Sequence, residues 1–331
     1  MNFSRLSTSV IKGKHLTSEE ALELIKTSDD DTFELIAAAN KVRRAKKGNQ
    51  IKLCAIVNAR SGKCSENCSF CAQSAHHNTS VDIYPLMQSE QIVEAARQAE
   101  KEMNATCFSI VTSGKGIIRD GDIYTLQAAL KSIAGESRLN RCVSLGMVSK
   151  EHLNILKEAG LSNFHHNLET SRSHFEKICT THSYDDRIKA VKMAKEAGLK
   201  VCSGGIFNVG ESLEQRIELA MTLKELDVDQ VPINILHPVA GTPAAKDHHA
   251  ISPFEVLRLI AAYRFVLPDK DIGLFGGRES SLGQLQPLMF IAGANVTLIG
   301  NYLTVKGQSA QKDLEMIQSI GLDVQTNAGQ T

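Results

Sequence analysis

"KLCAIVNARSGKCSENCSFCAQS" occupies residues 52–74 and decides how the rest of the chain is read. Residues 52–59 form a short, largely apolar run of strand length. The run gives way to a polar loop in which Cys64, Cys68 and Cys71 follow the pattern C-x3-C-x2-C. No fourth cysteine stands nearby. A structural zinc site takes four ligands, and a disulfide framework takes an even number of cysteines. Three thiolates on one compact loop suit an iron–sulfur cubane that leaves one iron open to another ligand. A zinc knuckle completed by His76 or His77 is the competing reading.

The same rhythm repeats downstream. Strand-like runs recur at residues 105–114, 141–148, 163–170, 200–209, 230–238, 272–277 and 294–303. Between them lie stretches with apolar residues at helical spacing, such as "SEQIVEAARQAEKEM" (89–103) and "YDDRIKAVKMAKEAG" (184–198). "KEAGL" occurs at 157–161 and 195–199, which predicts helix ends at Gly160 and Gly198. Eight strands alternating with helices predict an α/β fold, a closed (β/α)8 barrel of the TIM type, rather than an open doubly wound sheet. Residues 1–45 are expected to be an N-terminal helical extension, and 46–331 a single barrel domain. Such barrels carry chemistry at the C-terminal ends of their strands, where the cysteine loop falls.

Composition narrows the class. Of 331 residues, 42 % are hydrophobic and 22 % charged, as in an ordinary globular enzyme. Lys+Arg and Asp+Glu are both 37, so bulk charge points to neither nucleic acid nor an anionic membrane. No apolar run approaches the roughly 20 residues of a membrane span, and "MNFSRLSTSVIKGK" lacks the apolar core of a signal peptide. A cytoplasmic location is expected. Of the eight cysteines, those outside the loop read individually as small core residues. Cys54 in the first strand is read that way, and Cys179 is given no role. "GES" at 210–212 reads as a turn.

C-x3-C-x2-C after the first strand of a barrel resembles the signature of the radical S-adenosylmethionine (SAM) enzymes. That resemblance implies a 4Fe–4S cluster on Cys64, Cys68 and Cys71, whose open iron is chelated by SAM, with Phe70 near the adenine. One-electron cleavage of SAM would give methionine and a 5′-deoxyadenosyl radical. Further segments, "HHNLETS", "VCSGGIFNVGES", "VPINILHPVAGTP", "GGRES" and "FIAGAN", are similar to those of the biotin synthase family from about residue 50 onward.

The family resemblance implies a sulfurtransferase that performs the last step of biotin biosynthesis, inserting sulfur between two saturated carbons of dethiobiotin. It implies a second, 2Fe–2S cluster as sulfur donor, on Cys142, Cys202 and Arg278. The family's remaining cysteine falls on Ser109, and the cysteine present is Cys107. Two residues along a strand keep the same face but shift the side chain by roughly 6–7 Å. A displaced ligand at Cys107, an oxygen ligand at Ser109, and a second cluster that is absent or of other composition all stay open. Strand alternation turns Cys202 and Gly204 the same way, with Gly204 read as leaving room for a ligand. His165, Asn167 and Glu169 are expected to point inward. By resemblance Asn167 and Glu169 hold the SAM ribose and Arg187 the SAM carboxylate. Asn167, Asn234 and His165 would contact dethiobiotin. A flavodoxin or ferredoxin reductant and a homodimer are further implications. A related radical SAM enzyme that inserts no sulfur, and a zinc-binding interaction protein, are the alternative readings.

Overall fold

The computed structural model describes residues 1–117, 119–246 and 248–326. The opening run forms strand β1 (Gln50–Arg60). The later runs form β2 (Cys107–Thr112), β3 (Asn140–Ser144), β4 (Asn163–His165), β5 (Lys200–Cys202), β6 (Gly205–Phe207), β7 (Gln230–Ile235), β8 (Asp271–Leu274) and β9 (Val296–Leu298). Neighbours pair in parallel around the sheet, and β9 pairs back onto β1 with Lys52 opposite Val296. The sheet therefore closes into the expected barrel. β5 and β6 are two halves of the fifth strand, since both pair with β7. A two-residue β10 (Asp323–Val324) lies against the start of β1, outside the ring.

The break in the fifth strand corrects one expectation. A Cβ on Gly204 would lie 2.0 Å from the Pro232 carbonyl oxygen. The missing side chain makes room for the backbone of β7, not for a ligand.

Serines close the N-termini of several barrel helices, with Ser149, Ser183 and Ser212 each accepting the backbone N–H of the third residue of its helix. Gly160 and Gly198 follow helices Lys150–Glu158 and Tyr184–Glu196 with φ of 97° and 73°, the left-handed geometry that ends a helix. Along the strands, side chains alternate between two cores. Leu53, Phe108, Val143, Phe164 and Val201 join the apolar layer between sheet and helices. Cys54, Cys107, Cys142, His165 and Cys202 face the barrel interior.

Three helices precede the barrel, Phe3–Ile11, Ser18–Ile25 and Thr32–Lys47. The second and third pack on helix Pro253–Val266, with Arg258 paired to Asp29, the first packs on the third, and Lys26 Nζ lies 2.6 Å from Glu214 of helix Leu213–Glu225. Among the described residues no helix is long and apolar enough to cross a membrane.

Candidate functional site

A cavity of about 530 Å³ opens at the C-terminal ends of the strands. Cys64, Cys68 and Cys71 line its upper wall, and Cys54, Cys107, Cys142 and Cys202 line the strands below. All are free thiols.

Gly62 and Lys63, with φ of 75° and 50°, turn the chain sharply out of β1 into the cysteine loop. Backbone bonds then fold the loop on itself: Cys64 N–H donates to the Gln73 carbonyl at 2.9 Å, and Cys71 N–H to that of Cys68 at 3.0 Å. Ser69 N–H donates to Ile178 at 2.8 Å, tying the loop to the segment after helix Arg172–Ile178. That segment, "CTTH" (179–182), brings two groups beside the loop. Cys68 donates to Cys179 across 3.6 Å. The bond pushes the Cys68 thiol up and holds Cys179 down to about 3. His182 donates from Nδ1 to Glu66, and its Nε2 accepts the Nε–H of Arg187 at 3.0 Å. Burial acts against ionisation of Glu66, but hydrogen bonds from Thr181 and His182 keep its carboxyl below the usual range.

Arg187 is buried on helix Tyr184–Glu196. It donates from Nη1 to the Asn167 carbonyl at 2.8 Å and to Glu169 Oε1 at 3.2 Å, and its Nη2 lies 4.0 Å from Cys68 Sγ. His165, Asn167 and Glu169 all line the cavity, and so does Phe70. Only His165 lies in β4, Glu169 is turned by a φ of 70°, and His166 lines the cavity as well, so strand alternation does not extend past His165. Asn167 is held by a bond from Gly204 N–H to its Oδ1 at 3.1 Å. Asn234 also lines the cavity, but its amide is engaged at both ends, donating to the Gly205 carbonyl at 3.1 Å and accepting from Gly276 N–H at 3.0 Å.

In the strands, parallel register sets Cys54 beside Cys107 and Ser109 beside Cys142. The Cys107 thiol is pushed well up by its hydrogen bond to Cys54, by burial and by the neighbouring thiols. Burial raises Cys142 to about 12, partly offset by the Ser109 hydroxyl. Gln230 Nε2 lies 3.4 Å from Cys202 Sγ and 3.9 Å from Cys54 Sγ, and His165 Nδ1 lies 3.2 Å from Cys202 Sγ. Burial lowers His165 to about 4, so the ring is neutral there. Cys107 and Ser109 thus both face inward, and Cys54, read from sequence as packing, joins them.

Arg278 goes elsewhere. It is 1 % exposed and its guanidinium bonds Thr297 Oγ1 at 3.0 Å, Glu279 at 3.2 Å and Asp313 at 2.8 Å. It is not among the residues lining the cavity. The partner that an inward arginine requires is supplied by the helix Ala310–Ser319 behind the sheet.

Residues 59–223 match the model of the Radical SAM superfamily, and residues 232–323 that of the Biotin and Thiamin Synthesis associated domain. The chain is 46 % identical over 324 residues to the biotin synthase of Geotalea daltonii, covering 98 % of both proteins. It is 48 % identical over 319 residues to that of Geobacter sulfurreducens, covering 96 % of both. The chain belongs to the biotin synthase family. Among solved structures, methylornithine synthase (PylB) superposes with a TM-score of 0.85 at 21 % identity over 98 % of both chains. The maturase HydG superposes with a TM-score of 0.81 at 18 % identity, covering 97 % of this chain and 74 % of that one. These two likenesses show the barrel fold.

Membership in the biotin synthase family makes the protein a sulfur-inserting radical SAM enzyme with a 4Fe–4S cluster that binds SAM. The Biotin and Thiamin Synthesis associated segment is consistent with a second iron–sulfur cluster. The donor atoms fit two clusters. Among the described residues, the one group of three His, Cys, Asp or Glu side chains with all ligand atoms within 4.8 Å is Cys68, Cys179 and His182. The loop thiols and the strand thiols are each spread more widely than a single tetrahedral ion requires, and all are sulfur, the donor that iron–sulfur clusters take.

From the sequence Cys54 reads as core and Cys179 has no role, and Glu66 and His182 are not singled out. Period-two alternation across paired strands could have found Cys54 beside Cys107, and the C-x2-H spacing at 179–182 was a signal for the pair beside the loop.

Proposed function

We propose that this enzyme converts dethiobiotin to biotin, replacing two C–H bonds by two C–S bonds and consuming SAM to methionine and 5′-deoxyadenosine. The observation that carries the reading is one cavity walled by two separate sets of thiols, one on the loop and one on the strands. Cys64, Cys68 and Cys71 would hold the 4Fe–4S cluster, which with SAM bound would supply the 5′-deoxyadenosyl radical on one-electron reduction. Phe70, Asn167, Glu169 and Arg187 form the SAM wall. His165, Asn167 and Asn234 flank dethiobiotin between that wall and the strand cysteines. The already engaged Asn234 amide would offer the substrate its remaining lone pair and N–H. The barrel excludes water and sets the reacting carbons beside the sulfur source.

The second cluster takes Cys54, Cys107, Cys142 and Cys202, four thiols in place of three cysteines and an arginine. Ser109 serves as hydrogen-bond partner to Cys142, and Arg278 as a strut. Residues 46–331 act as one domain, with 1–45 as its helical extension. A cytoplasmic homodimer reduced by flavodoxin or ferredoxin completes the reading.

The test is anaerobic reconstitution of the full chain, with iron and sulfide counted per chain and biotin assayed from dethiobiotin. Two clusters and biotin formation are expected. Deoxyadenosine without biotin would reduce the protein to a hydrogen-abstracting relative, and a colourless zinc-loaded chain would exclude both.

A further inference from the structure

We infer that Glu66 and His182 are positioning residues that set the plane of the Arg187 guanidinium and so tune SAM affinity. The inference rests on the reading above, in which Arg187 meets the SAM carboxylate.

Three elements converge on this arginine. Its Nη1 is committed to the Asn167 carbonyl and to Glu169, and the ring of Phe175 lies 5.5 Å from its Cζ. These contacts fix one edge. Its Nε–H is fixed from the other side by His182 Nε2 at 3.0 Å. With both edges held, Nη2 is the end left toward Cys68 and the cavity.

A neutral imidazole carries one proton, and its position decides whether His182 can serve. With hydrogen on Nε2, the ring would face Arg187 donor to donor. Glu66 removes that choice by accepting from Nδ1, which leaves the Nε2 lone pair for the arginine. Glu66 itself is locked. Thr181 Oγ1 donates to its Oε2 at 2.8 Å and Ser65 Oγ to its Oε1 at 3.0 Å. Oε2 is taken by Thr181 and His182, and Oε1 accepts from Ser65, so the oxygen that faces the imidazole is held in place within the protein. Cys68 and Cys179 also lie close to His182, whose ring nitrogens are engaged by Glu66 and Arg187.

Glu66 sits between Cys64 and Cys68. The loop that carries the cluster thereby orients the side chain that receives the cofactor's carboxylate, through one buried imidazole.

The experiment titrates SAM against the electron paramagnetic resonance signal of the reduced loop cluster in reconstituted full-length protein, with iron counted in parallel. His182→Leu is expected to keep the cluster and to weaken SAM binding about tenfold, equivalent to about 1.4 kcal/mol. His182→Gln, whose amide oxygen accepts from Arg187, is expected within about threefold of wild type. Glu66→Gln keeps an oxygen for Nδ1–H and is expected to bind better than Glu66→Ala. A His182→Leu protein that loads its cluster and binds SAM like wild type overturns the inference. So does His182→Gln as weak as His182→Leu, or Glu66→Gln no better than Glu66→Ala. The comparison of Glu66→Gln with Glu66→Ala decides the matter if His182→Leu does not load a cluster. A wild-type cluster whose signal ignores SAM overturns the functional reading itself, and the inference with it.

Discussion

Replacing Asp313 by Asn separates a structural role for Arg278 from a ligand role. The Arg278 guanidinium and the Asp313 carboxylate are 1 % and 0 % exposed and 2.8 Å apart. At an effective dielectric of about 20 their attraction is about 6 kcal/mol. Desolvation consumes much of it: burial holds the Asp313 carboxyl above its ordinary range even beside the arginine. Arg278 Nε and Asp313 Oδ2 are also left without hydrogen-bond partners. A buried pair of this kind adds little net stability, yet removing one partner costs about 3–5 kcal/mol. Glu279 and Thr297 remain to Arg278 in the variant, which favours the lower end. With an unfolding entropy of about 2.1 cal/mol/K per residue, 331 residues give about 0.7 kcal/mol/K, so a loss of about 3 kcal/mol lowers Tm by roughly 4 °C. Thermal unfolding of the cluster-free protein is the assay. The double variant Arg278→Met with Asp313→Leu should recover most of the loss, and after reconstitution it should still carry iron for two clusters. A shift under about 1 °C for Asp313→Asn, or loss of the second cluster in the double variant, would refute the reasoning.

Cys54→Ala and Cys107→Ala should each lose the second cluster while keeping the first, whereas Ser109→Ala should keep both; iron and sulfide per chain decide it. Cys71→Ala should abolish the SAM-responsive cluster and deoxyadenosine formation, leaving the strand-bound iron in place. Asp271 offers a pH test. Burial pushes its carboxyl up, but Lys52 and Lys47 outweigh that and hold it down to about 2. A carboxyl depressed on folding stabilises the protein above its unfolded pKa, and that contribution fades as pH falls from about 4 towards 2. Asp271→Asn should therefore cost about 2 kcal/mol at pH 7 in denaturant unfolding, with the gap to wild type narrowing below pH 4. Gly204→Ala should lose several kcal/mol of stability by forcing a Cβ into the Pro232 carbonyl 2.0 Å away, read as loss of soluble protein or a lowered Tm.

The barrel was legible in the sequence because its evidence is local and repeated. Each strand is a short apolar run, each helix has its own period, and glycines such as Gly160 end the helices wherever the chain folds. The loop cysteines were legible for the same reason: three ligands within eight residues need no knowledge of the fold. His165 was legible from alternation within its strand, whereas Asn167 and Glu169 reach the cavity from the segment beyond it, where Glu169 turns at a φ of 70°.

What the sequence could not rank was contact between distant segments. Cys54 and Cys107 are neighbours only because β1 and β2 pair in that register, and a one-residue slip would turn either sulfur to the outer core. Arg278 follows the end of β8 either way, but whether it faces cysteines or an acid depends on where the helix bearing Asp313 docks. A lone buried arginine must find a negative or accepting partner, and only the tertiary structure decides which one is within reach.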